Sequence, residues 1–239
     1  MKEKVIVMIP TYNEKENIGK LINKILNLNI KNLEISVVDD FSPDGTWKIV
    51  ENISKNNKKV HLIVRKKNRG RGLAGIDGFK YCLEHNADYI IEMDGDLSHN
   101  PVYIPNMLKE IKKYDVILGS RCITGGKDTR NIIRRIITFL ANLYIRRILK
   151  LNVKDCNSGY RCFKRGVLEG ININNMISTG PSIVQEVLYK AHLKKFRIKE
   201  IPIAFNDRKL GKSKLGLKRL IVGYWMILKL KMLYLLGNL

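Results

Sequence analysis

The sequence predicts an α/β domain: a mainly parallel sheet between two layers of helices. Three observations lead there. Short β-branched runs alternate with segments of helical apolar periodicity through about residue 120. Polar residues gather where the strand runs end, the edge at which such sheets bind ligands. Composition is ordinary for a globular chain, with 45% hydrophobic and 28% charged residues among 239, enough to bury one large core and to exclude general disorder.

The elements follow in order. Residues 4–9, "KVIVMI", form a short run closed by Pro10, hence a buried strand. Ile18, Leu21, Ile22, Ile25 and Leu26 then recur at helical spacing between residues 14 and 28. Residues 33–40, "LEISVVDD", are a second strand, and "SPDGT" supplies a turn and cap before a helix over 46–54. A third strand spans 60–65, a helix 73–85, a fourth strand "DYIIEMD", a helix 104–112 and a fifth strand 115–120. The tips to inspect are "PTYNE", "DD", "DGD" and "GSR".

The second half is less regular. Residues 131–151 read as a long helix in which Arg134, Arg135, Arg146 and Arg147 interrupt an apolar surface; it either lies at a membrane interface or packs on the sheet with arginines at its edge. Residues 196–208 read as a strand running into the polar loop "DRKLGKSKLG". Charge is unevenly spread. Residues 120–239 hold 25 Lys/Arg against 6 Asp/Glu, a net of +19 out of +22, which suggests a polyanionic partner. The basic residues interleave with aliphatics rather than aromatics, which favours a lipid surface over nucleic acid. No run reaches the roughly 20 apolar residues of a membrane span. The four cysteines lack C-x-x-C spacing and read as free thiols.

Two motifs are false leads. "GRGLAG" at 70–75 satisfies the dinucleotide-binding pattern, but five residues, 65–69, follow Val64 before it begins. "GKS" at 211–213 lacks the earlier glycine of a phosphate loop.

Asp94 and Asp96 flank Gly95 in "MDGDLSHN". On an extended backbone they would point the same way, with about 6–7 Å between Cα atoms. They could form an acid/base pair, a clamp for one hard cation, or a solvated turn. Glu14, Asp39 and Asp40 lie in the same half, facing the basic second half. An acidic floor under a basic lid suits a metal-bound diphosphate, and Gly95 would let the backbone approach it.

At this point the residues resemble a known family. "IPTYNEKENI", "VVDDFSPDGT", "RGLAGIDGF", "MDGDLSHNP", "GSR", "DCNSGYRCF" and "IPIAFNDRKLGKSKLG" resemble the family 2 glycosyltransferases of the GT-A fold, most closely the dolichyl-phosphate (polyprenyl-phosphate) mannosyltransferases. The resemblance implies a GT-A domain over 1–214, with a nucleotide half 1–120 and an acceptor half 121–214, and an amphipathic helical tail 215–239 meeting a membrane or a partner. It places Pro10, Tyr12, Glu14, Val38 and Asp40 on the nucleoside of GDP-mannose, and Asp94, Gly95 and Asp96 on Mg2+ or Mn2+ and the diphosphate. Ser98 stands at a metal-ligand position. Arg121, Arg208 and Lys214 would bind phosphates, Arg134 and Thr138 the acceptor phosphate, and Glu186 would lie near the sugar. The chain departs from the family at Phe41 (usually glycine), Gly95 (usually alanine), Arg130 (commonly tryptophan) and Val184 (Gln).

The implied reaction is inverting transfer of mannose to dolichyl or polyprenyl phosphate, an acceptor already anionic and needing no catalytic base. The rival reading is a UDP-sugar donor, glucose or N-acetylglucosamine, with a lipid-phosphate or glycan acceptor. The expected location is peripheral, at the cytoplasmic face of a membrane, reached through the chain's own amphipathic segments or a small membrane-anchor subunit.

Overall fold

The structure is a computed structural model and describes residues 3–207 and 217–239. In the first half β1 (Val5–Thr11), β2 (Leu33–Asp39), β3 (Val60–Val64) and β4 (Tyr89–Glu92) alternate with α1 (Lys15–Leu26), α2 (Thr46–Asn56) and α3 (Arg71–Glu84). A 3-10 turn leads into α4 (Ile104–Glu110) and then β5 (Val116–Ser120). Every element expected there is present, shifted by a few residues at its ends. The second half contributes β6 (Lys127–Asp128), α5 (Ile132–Leu149), β7 (Arg161–Lys164), α6 (Arg165–Gly170), α7 (Ile183–Leu193), β8 (Ile198–Pro202), β9 (Ala204–Phe205) and α8 (Leu217–Leu235).

Seven strands form one sheet in the order β3-β2-β1-β4-β7-β5-β8. All neighbours run parallel except β7, which is antiparallel to both β4 and β5. The sequence reading lacked β7. Its four residues carry only Cys162 and Phe163 as apolar positions, too few to show a period. The strand-like run 196–208 is also corrected. It breaks after Pro202, so β8 extends the main sheet while β9 turns away to pair with β6.

The pleat of β1 shows how the layers form. Val5, Val7 and Ile9 pack on one face with Ile18, Leu21, Ile22 and Ile25 of α1, Val50 of α2 and Met107 of α4. Ile6 and Met8 pack on the other with Phe79 of α3, Val167 of α6 and Val187 of α7. Apolar residues at positions 5–9 of β1 are therefore required, not merely allowed. Met8 accepts from Met93 N–H on β4's side, so Pro10, two residues on, also faces that side, beyond the last β1–β4 pair. The N–H that proline lacks has no partner waiting there.

A third cluster joins the C-terminal ends of α5 and α7 to α8 through Ile145, Leu149, Leu188, Tyr189, Ile227 and Leu230. Asn131 caps α5, its Oδ1 accepting Arg134 N–H at 2.9 Å, and Lys150 ends the helix in a left-handed conformation. The buried residues of α5, Asn142, Ile145 and Leu149, all lie in its second half. Ile132, Ile133, Ile136, Ile137, Phe139, Leu140 and Leu143 face outward.

Candidate active site at the carboxyl edge of the sheet

β2 and β3 extend the sheet on one side of β1, and the chain then crosses back to place β4 on the other. The crevice outside the carboxyl ends of β1 and β4 is thus a topological switch point, where α/β sheets bind ligands. The paired aspartates sit there, but not on an extended strand as the sequence reading assumed. β4 stops at Glu92, and Gly95 and Asp96 form a turn followed by Leu97 in the left-handed region (φ 64°). The turn brings Ser98 back onto Asp96, whose Oδ1 accepts both Ser98 N–H (3.0 Å) and Ser98 Oγ–H (2.6 Å). Ser98, expected as a metal ligand, here orients the carboxylate. A Cβ on Gly95 would lie 2.9 Å from Thr11 Cγ2, so glycine lets the turn settle against the end of β1.

Asp94 is one-third exposed, whereas Asp96 is almost buried. His99 lies beneath Asp94, stacked on Tyr160 and edge-on to Phe205. It accepts the Asp94 backbone N–H on Nδ1 at 3.1 Å, which leaves the imidazole hydrogen on Nε2. Burial pushes its pKa below the ordinary value, beyond what Asp94 and Asp96 restore, so the ring is neutral. Behind Asp94 runs a chain of charges that sequence reasoning missed. Arg71 Nη2 donates to Glu92 Oε1 at 2.8 Å and lies 3.5 Å from Asp94 Oδ1, while Arg161 closes on the other Glu92 oxygen. Glu92 and Arg161 are wholly buried. A glutamate inside an otherwise apolar strand was the available signal, because a buried charge demands a partner.

On the nucleotide side, Tyr12 is exposed at the end of β1. Glu14 accepts from Asn17 and opens α1. Asp39 is wholly buried and fastens the β1 and β2 tips, accepting from Thr11 Oγ, Ser42 N–H and Ser42 Oγ, each at 2.7 Å. Asp40 pairs with Arg65 and accepts Gly70 N–H at 2.7 Å. Val38 and Pro10 are buried. Phe41 adopts φ 49°, the left-handed conformation that suits glycine, which accounts for the family's usual residue there. Its ring stays exposed, stacked on Trp47 at 5.7 Å with Lys66 also 5.7 Å from its centroid.

The acceptor-side residues are joined through Phe205. Its ring touches His99 and carries two guanidinium groups, Arg121 at 4.9 Å and Arg130 at 5.1 Å from the centroid. Arg121 is closed bidentately by buried Asp155, so its fork is already filled. Arg130 is held by Asp128 and donates to Thr138 Oγ at 2.9 Å on α5. Arg134 reaches Asp207 at 3.1 Å. Glu186 is wholly buried, accepting Ile177 and Ser178 N–H groups and pairing with Lys190. Arg208 and Lys214 lie outside the described residues.

Among the described residues no three His, Cys, Asp or Glu side chains converge as a metal cage. The turn instead offers two hard carboxylates at an open edge. That donor set fits Mg2+ or Mn2+, which take one or two carboxylates and complete their shell with substrate phosphates and water.

Comparison with known proteins gives the family and the fold. The model of "Glycosyl transferase family 2" matches residues 6–171. Undecaprenyl-phosphate mannosyltransferase of Micrococcus luteus is 34% identical over 89% of this chain and 88% of its own length. Polyprenol monophosphomannose synthase of Mycolicibacterium smegmatis is 33% identical over 90% and 82%. Dolichol-phosphate mannosyltransferase of Pyrococcus furiosus is 37% identical over 89% of this chain but only 59% of its own length. Glucosyl-3-phosphoglycerate synthase from Mycobacterium tuberculosis, crystallised with Mn2+, UDP and glucosyl-3-phosphoglycerate, superposes with a TM-score of 0.69. That match covers 97% of this chain and 79% of the other at 15% identity, a likeness of fold alone, the GT-A architecture.

Proposed function

We propose, from the premise that this chain belongs to glycosyl transferase family 2, that it transfers mannose from GDP-mannose to dolichyl or another polyprenyl phosphate. The products are a β-linked mannosyl phosphate lipid and GDP. The observation that carries this reading is the position of Phe205. One ring joins the acidic turn, through His99, to the arginines that lead into an uncovered apolar helix. A diphosphate-type floor and a lipid-facing element thus share one cleft. The relatives named for polyprenyl and dolichyl phosphate mannose transfer support the same acceptor class.

The chemistry is governed by charge. A divalent ion on Asp94 and Asp96, Mg2+ or Mn2+, supplies neutralisation for the departing diphosphate when bound. Ser98 fixes the Asp96 carboxylate in advance, so little reorganisation is needed. The acceptor phosphate oxygen attacks the anomeric carbon from the face opposite the diphosphate. The carbon–oxygen bond to GDP breaks with its electron pair leaving on the nucleotide. No proton moves, and the neutral His99, its Nδ1 occupied, is not required as a base. Arg134, half exposed at the start of α5, draws the anionic head toward the cleft.

Among the described residues no helix is long and apolar enough to cross a membrane. Among the described side chains, all but three of the exposed large hydrophobics nevertheless lie on α5 or on α8 and the residue after it, the three being Tyr12, Phe41 and Val102. Such a concentration marks an interaction face. Arg134, Arg135, Arg146, Arg147, Lys229 and Lys231 accompany it and would attract anionic headgroups. The enzyme therefore works peripherally, at the cytoplasmic face of a membrane.

The test is transfer of labelled mannose from GDP-mannose to a short polyprenyl phosphate in detergent, with and without EDTA. Labelled lipid that disappears with EDTA is expected. Transfer from UDP-glucose or UDP-N-acetylglucosamine but not from GDP-mannose would overturn the donor assignment.

A further inference from the structure

The buried charge chain behind the acidic turn is not used by the reaction as proposed. Arg161 is finished: Nε and Nη2 meet Glu92, and Nη1 donates to the Val184 carbonyl at 2.8 Å. Arg71 is not. Its Nη2 has a firm bond to Glu92, but its approach to Asp94 is 3.5 Å, long for a hydrogen bond. Its Nη1 is buried with no hydrogen-bond partner at all. A native interior rarely leaves a guanidinium donor open without a reason. A guanidinium is not deprotonated in proteins, so with Glu92 and Asp94 beside it the group is a permanent cation.

The base of this side chain is fixed, while at its tip only Nη2 is bonded. A Cβ on Gly72 would lie 2.5 Å from the Ser178 carbonyl oxygen, so the start of α3 is seated directly against residues 178–180, with Gly72 N–H bonded to Thr179. Glu186 in turn holds that segment through Ile177 and Ser178. Over the tip, a Cβ on Gly159 would lie 3.6 Å from Asp94 Oδ1 and 3.8 Å from Arg71 Nη2, and glycine leaves that space open.

We propose that Arg71 is an exchangeable counter-ion: it balances Asp94 when the divalent ion is absent and transfers its donors to the diphosphate when metal and nucleotide enter together. This rests on the reading of Asp94 and Asp96 as the metal and diphosphate site. The metal alone must displace a cation from Asp94 and gives it nothing in return. Metal with a diphosphate gives Asp94 a cation and Arg71 an anion, including a partner for the open Nη1. Arg71 therefore opposes the bare ion and favours the ion–nucleotide pair, a coupling of two ligands through one side chain.

Calorimetric titration separates these effects. Mn2+ alone, and GDP in saturating Mn2+, are titrated into wild type, Arg71→Met, Arg71→Gln and Asp94→Ala, each checked for folding by circular dichroism and unfolding midpoint. Arg71→Gln keeps a neutral donor near Glu92 and guards against a folding failure of Arg71→Met. Removing the guanidinium should tighten Mn2+ alone about fivefold, the scale of a partly exposed ion pair. It should weaken GDP in Mn2+ about tenfold, through lost charge-assisted hydrogen bonds. Mn2+ affinity unchanged or weakened in both Arg71 variants overturns the exchange. If Asp94→Ala keeps the full Mn2+ affinity, the site reading itself fails.

Discussion

Replacing Asp155 by Asn removes the charge that holds Arg121. Asp155 is wholly buried and Arg121 nearly so. The carboxylate accepts Arg121 N–H at 3.0 Å, Nε at 2.7 Å and Nη2 at 2.7 Å. Burial opposes ionisation of Asp155, but Arg121 overcomes it and holds the carboxyl below its usual range. An asparagine of the same shape would leave the guanidinium buried and unpaired, which costs about 3–5 kcal/mol. In a chain of this size each kcal/mol moves the melting temperature by about 2–4 °C, so the midpoint should fall by about 10 °C. Scanning calorimetry measures it. Adding Arg121→Met removes the stranded charge and should recover more than half of the loss, a coupling that a double-mutant cycle isolates. A shift below about 2 °C for Asp155→Asn would refute the reasoning. If mannosyl transfer were lost at the same time, Arg121 would be a phosphate ligand, as the family resemblance implies, rather than one half of a structural pair.

Four further outcomes are expected. Asp96→Ala should reduce turnover by orders of magnitude, since several kcal/mol of leaving-group stabilisation go with the metal; near-normal mannosyl transfer by that variant in EDTA would rule this out. Phe41→Gly should be more stable than Phe41→Ala by about 1 kcal/mol in urea denaturation, because both lose the Trp47 stack but only glycine is at ease in the left-handed conformation. Burial works against the Asp115 charge, but Arg197 and Lys164 overcome it and bring its pKa to about 2. A depressed folded value means a contribution complete above the unfolded pKa and lost as pH falls through the folded one. The urea midpoints of wild type and Asp115→Asn, separated by about 1 kcal/mol at pH 7 after allowance for solvent screening, should therefore converge between about pH 4 and 2. Serine at Ile133, Ile136 and Phe139 together should weaken binding to anionic vesicles more than about tenfold without lowering the melting temperature, since all three are exposed.

The first half of the fold was legible because parallel strands buried on both faces write themselves as β-branched runs ending in polar tips. β1 through β5 were all recoverable on that signal. β7 was not, because its place is decided by β4 and β5, which lie far away in the chain. The acidic turn was legible as Asp94-Gly95-Asp96, but its bent geometry depends on Leu97 and Ser98, whose residue types carry no such mark. Arg71 stands inside "GRGLAG" and opens "RGLAGIDGF", one of the stretches that carry the family resemblance, but neither reading assigns the arginine a role. Its link to Glu92, 21 residues further on, leaves no local mark. The closure of Arg121 by Asp155, 34 residues further on, has no local trace at all.

The reversed direction of β7 governs the order in which the protein can be completed during synthesis. Chains are made from the N-terminus, and domains begin to organise as they emerge. The first five strands leave the ribosome before Arg161 exists, so Glu92 must wait without its principal cation. Not until β7 slots between β4 and β5 does the acidic edge gain its internal balance. A nascent fragment ending before residue 161 can thus carry every carboxylate of the cleft and still be unable to bury the glutamate beneath them.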